Sequence, residues 1–225
     1  MTIIYALVEG QSEEGVIKNV IAPELLNLQI YLIPIIVQTS KTQKGGDVSF
    51  QRLLSEIQKV IKQKDCIVTT FLDFYKLKTD FPDCELAMQK SDIYEKILVL
   101  ENALHKEVIT KFGCRSDKFI PHIQPHELEA LFFSDVNRFV AVESDWTKCI
   151  ALLQQAVNEF ESPEHINNSP QTAPSKRLES ILKPKYHKTR HAPLLASAIG
   201  LQKIENECKH FHSWLTKLRQ LSPLT

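Results

Sequence analysis

The chain has 225 residues with 27 basic and 27 acidic side chains, so no net field draws it to nucleic acid or membrane, and any nucleic-acid partner must be held by a local basic patch. That length allows one large or two small domains with a sizeable core. Five scattered cysteines without C-x-x-C spacing exclude a disulfide framework, and the N-terminus carries no export signal or membrane-spanning run, so a soluble cytoplasmic protein is expected.

The first element is Thr2-Ile3-Ile4-Tyr5-Ala6-Leu7-Val8, a near-continuous apolar run that ends abruptly in Glu9-Gly10. Such a run reads as a strand of a parallel sheet covered on both faces. A carboxylate at its carboxyl end stands where open α/β sheets bind ligands, although many strands end in a polar residue and a glycine without any function. Gly10 is expected to allow a sharp turn. Ser12 is the expected N-cap of the helix that follows, with Glu13 and Glu14 compensating its dipole, a role that needs no chemistry. Val16, Ile17, Val20 and Ile21 carry the helix to about Leu28. Ile30 to Val37 is a second strand, and its Pro34 suits a sheet edge. The polar loop from Lys41 to Asp47 places Gly45-Gly46 between Lys41 and Lys44, a candidate phosphate cradle without Walker spacing.

Phe50, Leu53, Leu54, Ile57, Val60 and Ile61 predict an amphipathic helix. Cys66 to Leu72 predicts a third strand, ending at Asp73. Phe74 to Cys84 reads as a loop, and Ser91 as the cap of a helix running to Ile109. Lys118 to Gln124 predicts a fourth strand, stopped by Pro125 and followed at once by His126, Glu127 and Glu129. Strand and helix thus alternate four times. The expected fold is α/β: a doubly wound, mainly parallel four-stranded sheet with helices on both faces. Right-handed crossovers bring the acids that end the first and third strands, and those after the fourth, to one edge. Three separate carboxylate placements on one edge favour a functional site.

From residue 137 no strand pattern appears, and the division expected is an α/β domain over 1–136 with a helical extension over 137–225. Asp145-Trp146 opens one helix, Ser162 to Thr172 reads as an exposed loop, and Ser175 caps another helix that Pro184 breaks. His191 to Ile199 and Gln202 to Leu221 predict two more.

Leu7-Val8-Glu9-Gly10 after a strand, Asp73 after a later strand and a further acid after the next resemble the Toprim domain of topoisomerases, primases and nucleases of the overcoming-lysogenization-defect type. Val8-Glu9-Gly10-Gln11-Ser12-Glu13, the stretch from Val68 to Tyr75, Asp80-Phe81-Pro82 and the stretch from Gln124 to Asp135 are similar to the bacterial, Toprim-like domain of unknown function 4276. Pro174-Ser175-Lys176-Arg177-Leu178, Tyr186-His187-Lys188 and Phe211-His212-Ser213-Trp214-Leu215 fit that family too, so the resemblance covers essentially the whole chain. It implies a Mg²⁺- or Mn²⁺-dependent nuclease-type effector, with an ATPase partner, in bacterial phage defence. It also implies Glu9 as the general acid or base and Asp73 with Glu127 or Glu129 as metal ligands. The usual Asp-x-Asp is here Asp73-Phe74-Tyr75, and a protonated phenol is a poor Mg²⁺ ligand. Asp80, Asp83, Glu127 or Glu129 is expected to complete the shell, or the site holds one metal weakly, or the domain binds without cutting.

The chemistry fits the acids: two or three carboxylates hold Mg²⁺ against a phosphate, and Glu9, Asp73 and one of Glu127 or Glu129 are the smallest set that does so. On a helix Glu127 and Glu129 would point about 200° apart, so one would face the site, Glu127 being nearer the strand end; on an extended segment both would. His126 could serve the site or be an ordinary surface histidine. Lys76 and Lys78 follow Asp73, and Lys176, Arg177, Lys183, Lys185, Lys188 and Arg190 form the densest basic stretch, with Tyr186 available to stack on a base. His187 with His191, and Cys208 and His210 with His212, are a further candidate set for zinc.

Overall fold

Strand β1, Thr2–Val8, lies between β2, Ile30–Ile36, and β3, Cys66–Asp73, and all three run parallel. The structure is a computed structural model that describes residues 1–37, 48–64, 66–166, 169 and 171–221; the Gly45-Gly46 loop lies outside them. The strand order is β2-β1-β3-β4, with β5 also pairing to β3. Pro34 therefore sits on an edge strand, where its missing N–H breaks no inner ladder.

The fourth strand expected over Lys118 to Gln124 is two short pieces, β4, Phe119–Ile120, and β5, Ile123–Gln124, both parallel to β3. Pro121 has no N–H to give to the ladder, and side chains bridge the gap. Thr70 Oγ1 donates to the His122 carbonyl and accepts from its N–H, each at 2.8 Å. Thr69 Oγ1 donates to the Ile120 carbonyl at 2.6 Å and accepts from Trp214 Nε1 at 2.9 Å.

Side chains alternate across the sheet. Ile4, Ala6, Val8, Ile67 and Phe71 enter one core, and Leu7, Val68 and Leu72 enter the other. The first core receives α1, Gln11–Val16, the π-helical turn Ile17–Ile21 and α2, Ala22–Leu26, which run on without a break. The second receives α3, Phe50–Ile61, α4, Cys84–Met88, and α5, Ile93–Phe112. The C-terminal helices α6, Ile150–Asn158, α7, Pro174–Ile181, α8, Lys188–Ile199, α9, Leu201–Glu207, and α10, Lys209–Arg219, all contribute to the first core. Gly15 lets α1 approach α8 closely, since a Cβ there would stand 3.3 Å from Pro193 Cγ.

Three expected helix starts move by a residue or two. Gly10 rather than Ser12 precedes α1, Asp92 rather than Ser91 caps α5 by accepting from Tyr94 and Glu95 N–H, and Ala173 precedes α7 with Pro174 in its first turn. Asp92 wins because its carboxylate reaches two unpaired amides at once. The stretch from Ser162 is no simple exposed loop. Its 3₁₀ turn Pro163–His165 buries Glu164, which accepts from the N–H groups of His210 and Phe211 at 2.8 and 3.0 Å.

Candidate metal centre

Five carboxylates meet at the carboxyl edge of the sheet: Glu9 after β1, Glu13 in the first turn of α1, Asp73 at the end of β3, and Glu127 and Glu129 after β5. Each is at most 3% exposed. Parallel pairing sets Val8 against Phe71 and Asp73 against Gln124, which brings the three strand ends level.

Each of three acids is anchored through one oxygen. Asp73 N–H donates to Glu9 Oε1 at 2.8 Å, Leu128 N–H to Asp73 Oδ1 at 2.8 Å, and Tyr186 Oη to Glu129 Oε1 at 3.1 Å. The second oxygens, Glu9 Oε2, Asp73 Oδ2 and Glu129 Oε2, together with Glu13 Oε1, are buried and accept no well-directed hydrogen bond. Partners that grip one oxygen and leave the other free orient carboxylates as metal ligands are oriented by their outer shell. Glu127 differs: both its oxygens are taken, by Ser175 N–H at 2.8 Å and Ser175 Oγ at 3.0 Å, at the start of α7.

Two ammonium groups approach the free oxygens. Lys188 Nζ, from the first turn of α8, lies 3.0 Å from Glu129 Oε2, 3.6 Å from Asp73 Oδ2 and 3.7 Å from Glu13 Oε1. Lys76 Nζ lies 3.6 Å from Asp73 Oδ2 and 3.8 Å from Glu9 Oε2. The lysine side chains are 28% and 30% exposed while the acids are not, so the lysines form the solvent side of the site.

Five buried carboxylates against two ammonium groups leave excess negative charge. Burial, and next the neighbouring Asp73, hold the Glu9 carboxyl well above its ordinary range and raise Glu13 likewise. Burial raises Glu129 from 4.5 to about 7, against the pull of Lys188. Burial works against the charge of Lys188, yet Glu129, Asp73 and Glu13 hold its pKa well above the ordinary lysine value. A carboxyl whose pKa is higher folded than unfolded favours folding below the unfolded value, and that contribution is lost as pH rises through the folded value. For Glu129 the window runs from 4.5 to about 7, and Glu9 and Glu13 add in the same direction. In EDTA the melting temperature should therefore fall between about pH 5 and pH 8, by on the order of a few kcal/mol of stability, and Mg²⁺ should restore more at pH 8 than at pH 5. Thermal melts at the two pH values check this, and a metal-free melting temperature that rises across the window contradicts it.

The four expected acids, Glu9, Asp73, Glu127 and Glu129, converge. Asp73, Glu127 and Glu129 each offer an oxygen within 4.8 Å of the others. Glu127 is extended (φ −147°, ψ 157°) and only Glu129 is in the 3₁₀ helix Leu128–Ser134, so helical spacing does not set the two apart. Glu13, read as a dipole residue, is also in the site. The chain bends at Glu9-Gly10 with Gly10 in extended backbone, and Gly10 also allows close approach, since a Cβ would stand 3.3 Å from Glu13 Oε2. Asp80 and Asp83 do not fill the shell. Asp80 accepts from Phe50 N–H at the start of α3, and Asp83 is exposed. Tyr75 is 42% exposed and stands outside the acidic group.

The basic stretch divides. Lys76 and Lys188 point into the site; Lys78, Lys183, Lys185 and Arg190 are exposed. Lys176 is exposed and paired with Glu179, and the charge of Glu127 also reaches it, which places it on the rim. Arg177 is held away by Glu159, the Thr172 carbonyl and the face of Phe160. Tyr186 is 2% exposed with its hydroxyl on Glu129, so it positions an acid and presents no face to a base. His126 is buried in a left-handed conformation (φ 59°), and burial lowers its pKa to about 4 with His165 and Lys96 adding to the effect; it is not a surface histidine. The zinc set does not converge among the described residues. His191 accepts from His187 N–H, Cys208 contacts Ser134, and His212 meets Glu205.

The family model for a domain of unknown function (DUF4276) matches residues 8–219. No curated protein matches the chain. Among solved structures, the C-terminal region of the OLD protein of Xanthomonas campestris pv. campestris is similar over 96% of this chain and 94% of that one, at 17% identity and a TM-score of 0.43.

Proposed function

Because the chain belongs to the family of the domain of unknown function (DUF4276), its function must be read from its site, and we propose a divalent-metal-dependent hydrolase of Toprim type acting on nucleic-acid phosphodiesters. The observation that carries this reading is a set of three buried carboxylate oxygens, Glu13 Oε1, Asp73 Oδ2 and Glu129 Oε2, that gather around Lys188 Nζ and accept no well-directed hydrogen bond, with Glu9 Oε2 in the same state beside Lys76. An all-oxygen, anionic donor set suits Mg²⁺ or Mn²⁺. When bound, the ion would stabilise negative charge on a transferring phosphoryl group.

In this reading Glu13 takes the place left open at Tyr75. Lys188 and Lys76, on the solvent side, receive the non-bridging oxygens of the phosphate, and Lys176 extends the positive rim with Lys78, Lys185 and Arg190 further out. Glu9 is the proton acceptor, the role the family resemblance implies: the Asp73 amide fixes its Oε1 and leaves Oε2 free. An ATPase partner and a bacterial defence role are the setting that the family resemblance implies. No described helix is long and apolar enough to cross a membrane.

Metal-dependent cleavage of DNA or RNA by the wild type, lost in Glu9→Gln and in Glu13→Gln with metal binding weakened at least tenfold, is the expected result. Unchanged cleavage by Glu9→Gln would remove Glu9 from the mechanism. One observation favours a second reading: Lys188 and Lys76 already neutralise part of the site, as suits a module that holds its shape without cutting. Nucleic-acid binding without cleavage under any divalent metal decides for that module.

A further inference from the structure

We infer that Glu101, His122 and His210 form a second metal site, separate from the acidic centre and suited to a zinc-class transition ion, that clamps α10 to α5 and to the break between β4 and β5. The three residues come from three elements, and their ligand atoms lie within 4.8 Å of one another. His210 Nε2 is 2.9 Å from Glu101 Oε1, and His122 Nδ1 is 3.8 Å from the same oxygen. Tetrahedral zinc ligands stand about 3.3 Å apart, between these two distances.

The independent sign of a missing cation is His122. Its ring is fully buried and lies nearly parallel to Trp214 and Phe71, with centroids 4.6 and 5.3 Å away. Nε2 faces Gln124 Oε1 at 3.3 Å, and the tautomer with the proton on Nε2, the one the site requires, leaves the lone pair on Nδ1. That Nδ1 has no hydrogen-bond partner and is aimed at a carboxylate oxygen, two acceptors with nothing between them. A buried acceptor left this way is costly, and a cation shared with Glu101 and His210 satisfies Nδ1. Gln124 then does for His122 what outer-shell partners do for metal-bound histidines: it fixes the tautomer and the ring orientation.

Glu101 is already positioned, since its Oε1 also accepts from Ile123 N–H at 2.8 Å, and His210 is held through its N–H on Glu164. A cavity of about 310 Å³ lined by Glu101, Asn102, His105 and Phe119 opens beside the group and gives an ion a way in and a water a place as fourth ligand. Two imidazoles and one carboxylate favour Zn²⁺ or Co²⁺ over Mg²⁺, the reverse of the all-carboxylate edge. The inference does not depend on the hydrolase reading, because the two sites share no residue.

Titration of the metal-free full chain with Co²⁺ tests it. A tetrahedral nitrogen-containing cobalt site absorbs strongly in the visible, whereas an octahedral all-oxygen site absorbs weakly. Wild type and Asp73→Asn should both develop the intense bands, and Zn²⁺ should abolish them. His210→Gln, whose side chain is at the edge of the group, and Glu101→Gln should each bind at least tenfold more weakly, with circular dichroism confirming the fold. No intense bands in the wild type, or bands that persist in folded His210→Gln, would overturn the second site.

Discussion

Asp73→Asn should slow metal-dependent cleavage by about 10²–10³-fold, the usual cost of removing one pre-aimed charge from such a centre. Asp73 is the hub of the site. Its Oδ2 faces both lysines, its Oδ1 holds the Leu128 amide, and its own amide fixes Glu9. Asparagine keeps the carbonyl that Leu128 needs, so the fold should survive. The same change should make the metal-free protein more stable. Burial and then Asp73 are the causes that raise Glu9 and Glu13, so removing that charge relieves both, and four acids still face two lysines. A gain of about 1 kcal/mol would raise the melting temperature in EDTA by about 2–4 °C at this chain length. A variant that is less active and also less stable in EDTA would argue for a purely structural Asp73.

Lys188→Met should destabilise the metal-free protein by about 3 kcal/mol, the lower end of the range for leaving buried charge unpaired, because the lysine is partly exposed and the acids can take up protons. Three carboxylates lose their shared partner at once. Lys185→Met, at an exposed position, is the control and should change little. Saturating Mn²⁺ should return most of the lost stability to Lys188→Met, since the ion supplies the positive charge the side chain gave. Urea unfolding with and without Mn²⁺ measures both effects. Equal losses in the two variants would mean that Lys188 is not the counter-ion of the site.

The sheet was legible because apolar runs and their acidic ends lie in contiguous sequence: Val8-Glu9 and Leu72-Asp73 announce both strand and site. Pro34 announces the edge for a local reason too. Glu13 was not legible, because an acid in a first helical turn has an ordinary explanation in the helix dipole. Only the burial of that turn, with α1 packed on α8 through Gly15 and Pro193, turns Glu13 into a site residue. Lys188 and Tyr186 were read as surface residues since a basic stretch with an interleaved aromatic is ambiguous until its helix is docked. The signal that could have found them is the need of a buried acidic edge for cations and donors. Helical spacing does not separate Glu127 from Glu129, since Glu127 is extended; Ser175 does, by occupying both oxygens of Glu127 and leaving Glu129 Oε2 free. Tyr75 looked like a gap in the shell because the second acid was sought two residues after Asp73 rather than four after Glu9.

Diffraction from crystals soaked in Mn²⁺, collected for anomalous signal from wild type and Asp73→Asn, tests the metal centre most directly. The expected result is a wild-type peak among Glu13 Oε1, Asp73 Oδ2 and Glu129 Oε2, with Lys188 drawn back towards solvent, and no peak in the variant. A wild-type edge without manganese, with Lys188 still seated on Glu129, would contradict it.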